Sequence, residues 1–182
     1  VKVKGVTIVD KFDNELTIAS VSGIKKIGDF TTKRMDTAAV KRVELHCHTK
    51  MSDMDGVSDA GAIIKRAMSW GHKSIAITDH GAMFGAIDFY KNLKKEGIKA
   101  IIGCEVYVAP RKMTDKTYEL DNEYYHLVLL CKNETGYKNL IKMVSFSYTK
   151  GFYIKPRIDM DMLREHSEGL ICLSACVAGQ IP

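Results

Sequence analysis

His46 and His48 stand two residues apart at the end of the run Val43-Glu44-Leu45, which reads as a strand. Side chains alternate across a strand, so both imidazoles leave one face while Cys47 leaves the other. A polar segment follows and presents Asp55 just before Gly56. Two imidazoles and a carboxylate leaving one strand end can grip a divalent ion such as Zn²⁺ or Mn²⁺. A lone His-x-His pair describes an ordinary polar strand end equally well, so donors further along must decide. His80, Glu105, His126 and Cys176 recur at or near later strands. Each has a plainer reading: a helix cap for His80, a lysine partner for Glu105, a core hydrogen bond for His126, and space filling for Cys176. Their joint recurrence across successive strands favours a metal site.

The elements that must position these groups alternate from Val43 onward. Ser58 or Asp59 can cap a helix that sends Ile63, Ile64, Ala67 and Met68 toward a core and stops near Gly71. Ser74–Thr78 is a short apolar strand ending at Asp79-His80-Gly81, and a helix from about Met83 to Glu96 follows it. Lys99–Val108 reads as a buried strand, 109–123 as a charged loop, and Tyr125–Leu130 as the next strand. A helix then carries Leu140, Ile141, Val144 and Phe146. Pro156-Arg157-Ile158-Asp159 begins a short helical stretch, and Gly169–Cys176 is a last strand. Repeated βα units imply parallel strands with right-handed crossovers, in an open sheet or a barrel, with functional groups at the C-terminal ends of the strands.

Ahead of this α/β region, residues 1–27 alternate and turn like a β-hairpin about Asp13-Asn14, and 28–41 read as a polar linker. The chain of 182 residues starts at Val1 without an initiator methionine, which is expected of a piece of a larger protein. It is 46% hydrophobic and 27% charged, with three prolines, a composition that excludes a disordered chain. No apolar run reaches membrane-spanning length, so no membrane partner is expected. Five cysteines in an odd, scattered set point to reduced thiols and a cytoplasmic location. A net charge of +5 permits a nucleic-acid partner without requiring one.

Three segments, His46-Cys47-His48-Thr49 with Ser52–Gly56, Ile77-Thr78-Asp79-His80-Gly81, and Gly103-Cys104-Glu105-Val106-Tyr107-Val108, together resemble the PHP (polymerase and histidinol phosphatase) superfamily. Tyr125–Leu130 with Asn133–Leu140, Gly151-Phe152-Tyr153 with Lys155–Asp159, and Glu168–Cys176 narrow the likeness. They resemble the PHP domain of the bacterial replicative DNA polymerase III alpha subunit, the C family. The resemblance covers residues 41–182, and residues 1–27 resemble the end of the oligonucleotide-binding (OB-like) β domain that precedes PHP in PolC-type chains. PolC-type chains mostly carry an exonuclease insertion soon after the segment matching Glu105. This chain runs straight on, in the DnaE manner.

The resemblance implies a distorted (β/α)7-type PHP barrel over 42–182, incomplete at the C-terminus, because the family's last Asp-x-His motif does not occur before Pro182. It implies His46, His48, Asp55, His80, Glu105, His126 and Cys176 as ligands of a trinuclear cluster of Zn²⁺, Mn²⁺ or Mg²⁺, with Glu105 bridging and Asp79 supporting from behind. Asp53 could replace Asp55, although the family motif puts its aspartate just before glycine. The implied chemistry is phosphodiester hydrolysis, as a 3′–5′ proofreading exonuclease within a polymerase. The partners would be a DNA primer-template, the other domains of the alpha subunit and the remaining replisome subunits. Two alternatives remain: a PHP module kept for structure alone, and a free-standing phosphatase acting on a small phosphomonoester. Segments 133–139 and 155–159 argue against the second.

Other residues invite plainer readings. His72 follows Gly71, where it can meet a helix dipole, and His166 looks exposed. Cys47, Cys104, Cys131 and Cys172 read as strand packing. Arg111, Lys112, Lys155 and Arg157 are candidate nucleic-acid contacts, the first two diluted by Asp115, Glu119 and Asp121. Phe152-Tyr153 beside Lys155 and Arg157 could stack on nucleotides or be buried.

Overall fold

The computed structural model describes residues 1–28, 32 and 34–181, which fall into two compact units, Val1–Met35 and Asp36–Pro182. In the first, β1 (Lys2–Val9) and β2 (Leu16–Lys25) pair antiparallel, with an irregular register between Lys4 and Val6. The Asp10 and Asp13 carboxylates accept the turn's Phe12 and Glu15 N–H groups at 2.8 and 3.0 Å. Asn14 closes the turn at φ 58°, a region asparagine tolerates better than most residues. Val6, Leu16 and Ile24 stay exposed, since a two-stranded ribbon has no second layer to cover them. The linker expected over 28–41 falls partly on residues 29–31 and 33, which lie outside the described residues.

The second unit is α/β. Its five-stranded sheet runs β3 (Ser74–Ile77), β4 (Lys99–Val108), β5 (Tyr125–Cys131), β7 (Leu170–Leu173), with β6 (Arg157–Ile158) also on β4. Among the described residues the sheet does not close, so it forms an incomplete barrel wall. Helices α1 (Ala60–Ser69) and α2 (Ala86–Lys95) pack through Ile64, Ala67, Phe89 and Leu93 onto Ile75 and Ile77. Helix α4 (Glu134–Thr149) and the short α5 (Met160–Glu165) cover the other half, where Leu140, Met143 and Met162 meet Cys104, Val106, Val108, Leu127 and Leu129. The period of two turns the opposite face inward, and there Ala76, Val128 and Leu130 form an apolar floor with Leu45 and Leu173. Glu105, Tyr107 and His126 belong by that alternation to the same inner face.

Several elements differ from the sequence reading. The strands are not all parallel: β4 is parallel to β3 and β6, but β5 is antiparallel to both β4 and β7. The β4–β5 connection explains this, because its only helix, α3 (Tyr118–Asp121), is too short for a crossover back along the sheet. The strand expected at Val43–Leu45 is reduced to one bridge, Glu44 with Ile75. Residues 157–158 are strand β6 rather than helix, and Asp159 accepts from Met162 N at 2.9 Å to start α5. Met68 and Ile141 face solvent, while Met143 is the buried residue of that turn of α4. His166 is buried, its Nδ1 donating to Met162 O at 3.1 Å, and Cys172 is exposed. His72 pairs with Asp36 at 3.1 Å across a sequence gap too long for any local rule.

Candidate metal centre

The segment after the Glu44 bridge stays beside β3 through Thr78 N–H, which donates to Cys47 O at 2.9 Å, and Cys47 N–H, which donates to Thr78 Oγ1 at 2.8 Å. Asp79, buried at the end of β3, then fixes the following loop. Its carboxylate accepts from Thr49 N at 2.6 Å, Thr49 Oγ1 at 2.8 Å and Ser52 Oγ at 2.7 Å. Ser52 Oγ in turn accepts from His80 N at 3.1 Å. The loop folds back so closely that a Cβ on Gly56 would lie 1.9 Å from Thr49 O, so only glycine fits after Asp55. Asp79 therefore sets where His48, Asp55 and His80 point without itself facing them.

Glu105 is the hub. His46 Nε2 and His48 Nε2 donate to its Oε2 at 2.5 and 2.6 Å, and His126 Nδ1 donates to its Oε1 at 2.8 Å. His48 Nδ1 also donates to Asp55 Oδ2, and His80 Nε2 lies 3.5 Å from that same oxygen. The imidazoles crowd together, with ring centroids 4.9 Å apart for His46 and His48, 4.2 Å for His48 and His80, and 5.0 Å for His80 and His126. Cys176 stands at the margin, its Sγ 3.7 Å from His126 Nδ1 and accepting from Ala178 N.

Electrostatics follow from this crowding. Burial pushes the Glu105 carboxyl up, but the His48 and His46 hydrogen bonds and the neighbouring imidazole charge outweigh it and bring it to about 2. The hydrogen bond to Glu105 raises His48, whereas burial lowers His80. His80 Nδ1 is buried without any hydrogen-bond partner, although such groups are nearly always satisfied.

Three donor triads result, each with ligand atoms within 4.8 Å of one another: His46, His48 and Glu105; His48, Asp55 and His80; His80, Glu105 and His126. Nitrogen and carboxylate donors in shared triads, with one imidazole nitrogen left orphaned, fit more than one divalent ion. Six of the seven expected ligands fall in these triads, and Cys176 is the one that does not. Asp53 is exposed beside them.

The candidate nucleic-acid residues fare differently. Arg157 is buried, donating to Gly151 O, Asp121 O, Met113 O and Asp115 O at 2.8–3.3 Å, with Tyr153 stacked against it at 5.1 Å. That corrects its reading as a DNA contact: the guanidinium is spent on holding the 109–123 loop. Arg111 forks onto Asp121 at 2.7 and 2.9 Å, and Lys112 pairs with Asp161. Lys155 holds its ammonium 5.6 Å above the Tyr107 ring, next to the centre, and Phe152 is exposed. Sequence reasoning passed over Tyr107, whose ring lies 5.8 Å from His80 and 5.2 Å from His126. Its place on the Glu105 face of β4 was the available signal.

The α/β sheet gathers histidines and a shared glutamate at one end, and residues 44–182 match the PHP domain family. The chain belongs to that family. It is 50% identical over 146 residues to DNA polymerase III subunit alpha of Treponema pallidum, and 52% identical over 141 residues to that of Borreliella burgdorferi. These matches cover 80% and 77% of this chain but 12% of each relative, so the chain spans about an eighth of their length. Among solved structures, an amidohydrolase from Chromobacterium violaceum is 24% identical at TM-score 0.43, over 58% of this chain and 33% of its own. The fold is a PHP-type barrel, incomplete among the described residues.

Proposed function

We propose that this chain is the PHP segment of a bacterial replicative DNA polymerase III alpha subunit and that its histidine–glutamate centre removes nucleotides from a primer 3′ end. The observation that carries the reading is Glu105, 1% exposed, with both oxygens committed to three imidazoles while His80 Nδ1, 3.8 Å from Glu105 Oε2, is left without a hydrogen-bond partner. A cluster of this kind, with Glu105 buried among half-buried histidines and Asp55 at its exposed edge, suits divalent ions better than protons. His46, His48, Asp55, His80, Glu105 and His126 would hold them, with Cys176 joining from the margin. Divalent ions bound there supply Lewis acidity toward a phosphodiester and toward water. The protein's part is to fix the donors: Asp79 and Ser52 set the loop, Asp55 orients His48, and Tyr107 walls the inner face. Residues 1–27 are read as the end of the preceding OB-like domain, and the polymerase's primer-template and replisome partners follow from the same reading.

The test measures Mn²⁺- or Zn²⁺-dependent release of the 3′ nucleotide from a mismatched primer by the full polymerase chain, against His48→Ala. Release that collapses in the variant supports the exonuclease. Equal background in both, with metal still bound, leaves a PHP module that serves structure alone.

A further inference from the structure

The segment that brings Lys155 to the centre is strained. Lys155 N donates to Tyr153 O at 2.7 Å across Ile154, whose φ is +65°, which makes a γ-turn about a β-branched residue. Such backbone persists only where its surroundings over-determine it. Here Pro156 and Tyr107 close over Gly81, the residue after His80, so tightly that an added Cβ would lie 3.0 and 2.9 Å from them. The turn leaves Phe152 and Ile154 in solvent while Lys155 lies over Tyr107.

Beside this turn runs a row of three rings. Phe84, four residues beyond His80, lies 6.3 Å from Tyr148, and Tyr148 lies 6.3 Å from Phe152. Their exposures are 69%, 41% and 48%, so the row spends its apolar area on water rather than on the core. The adjoining chain carries one sign of charge: residues 135–158 contain Lys138, Lys142, Lys150, Lys155 and Arg157 and neither Asp nor Glu. Arg157 is internal and Lys138 pairs with Glu134 at 2.7 Å, which leaves Lys142, Lys150 (its ammonium 4.2 Å from the Phe146 ring centroid) and Lys155 to set the surface potential.

We infer that Phe84, Tyr148 and Phe152 form a stacking platform for the unpaired bases of a single-stranded 3′ end, with Lys150 and Lys155 serving its phosphates. The inference rests on the nuclease reading above and adds its substrate class, a frayed single strand rather than a duplex or a small phosphomonoester. Aromatic faces accept any base, and cations along the backbone supply the attraction, so the platform is tolerant of sequence. The ring planes tilt by 49° and 35° from one to the next, so successive faces fan out as the bases of an unstacked strand do.

The experiment measures fluorescence anisotropy of a labelled short oligothymidylate binding to the protein, without added metal and at fixed salt. The comparison strand has the same backbone with abasic sites in place of the bases. The abasic strand is expected to bind at least roughly 5- to 150-fold more weakly, the range for losing a single stacked base. Phe84→Ala and Phe152→Ala should weaken the thymidylate similarly and leave the abasic strand unchanged, while Tyr148→Phe, which keeps its ring, stays near wild type. Circular dichroism checks that these exposed substitutions leave the fold intact. Equal affinity for the two strands, or unaffected alanine variants, overturns the platform and leaves the row as a surface for a protein partner. Hydrolysis of bis(p-nitrophenyl) phosphate by wild type and His48→Ala reads the metal centre separately. Loss in His48→Ala with base-independent binding sinks the platform alone, and base-dependent binding without any hydrolysis sinks the nuclease reading alone.

Discussion

Tyr107 on β4 and His126 on β5 are register partners on antiparallel strands. That reversal brings His126, second in its strand, to the sheet end where β3 and β4 deliver His80 and Glu105. In a parallel strand the same position would lie at the far end of the sheet. His126 then meets only one Glu105 oxygen, whereas the other oxygen serves His46 and His48. Glu105→Gln should therefore weaken metal binding more than His126→Ala does. Both should exceed the 10- to 100-fold range, roughly, that follows from losing a group behind a ligand. Metal retained after gel filtration, measured by mass spectrometry, checks the order. A Glu105→Gln variant holding as much metal as wild type would refute Glu105 as the hub.

Asp79 provides the contrasting case. It touches no ligand side chain, yet three donors from the 49–52 loop converge on its carboxylate. In Asp79→Asn the amide nitrogen would turn an N–H toward at least one of these donors, costing about 1–3 kcal/mol of stability. Metal affinity should fall roughly 10- to 100-fold as His48 and Asp55 lose their support. Chemical denaturation of the metal-free protein and metal titration measure the two effects. Weakened affinity with unchanged stability would mean that Asp79 acts by a route other than the loop.

Much of this was readable in advance, for physical reasons that differ by residue. His46 and His48 both reach Glu105, as their spacing suggested, although the strand expected to align them is reduced to one bridge at Glu44, and the glycine after Asp55 marks a tight turn. Apolar runs located β3, β4 and β5 well because buried strands have little else in them. The reversal of β5 was hidden, because strand direction depends on how a connection packs and not on the strand's own residues. Arg157 misled for a related reason: a cation beside aromatics looks alike whether it faces DNA or four carbonyls. Pairings such as His72 with Asp36 join residues far apart in sequence, where no spacing rule operates.

Arg157 yields a prediction of its own. Its planar fork reaches carbonyls of Met113, Asp115, Asp121 and Gly151, which no lysine ammonium can span. Arg157→Lys should cost about 2–4 kcal/mol, since several charge-assisted hydrogen bonds disappear and buried carbonyls are left bare. The damage should concentrate in 109–123, so limited proteolysis there would accelerate before global unfolding. Cleavage unchanged in that loop would show that Arg111 with Asp121 suffices to hold it.

The pH response of the metal-free protein follows from Glu105 and His48. Glu105 is depressed from 4.5 to about 2, so its stabilising contribution is fully present above 4.5 and is lost as pH falls toward 2. His48 is raised above 6.5, so its contribution is present below 6.5 and is lost as pH climbs through the raised value. Stability with a chelator present should therefore be greatest near 6.5, because His80, lowered by burial, also loses stability as pH falls below 6.5, and should decline on both sides. Glu105→Gln removes the partner on which both shifts depend, and should flatten both flanks. Divalent metal should rescue the alkaline flank alone, because it binds neutral imidazole and so replaces the proton that His48 loses. Urea midpoints across pH, with and without metal, test this directly. A metal-free profile that keeps rising through the alkaline side would contradict the shared Glu105–His48 bond as its source.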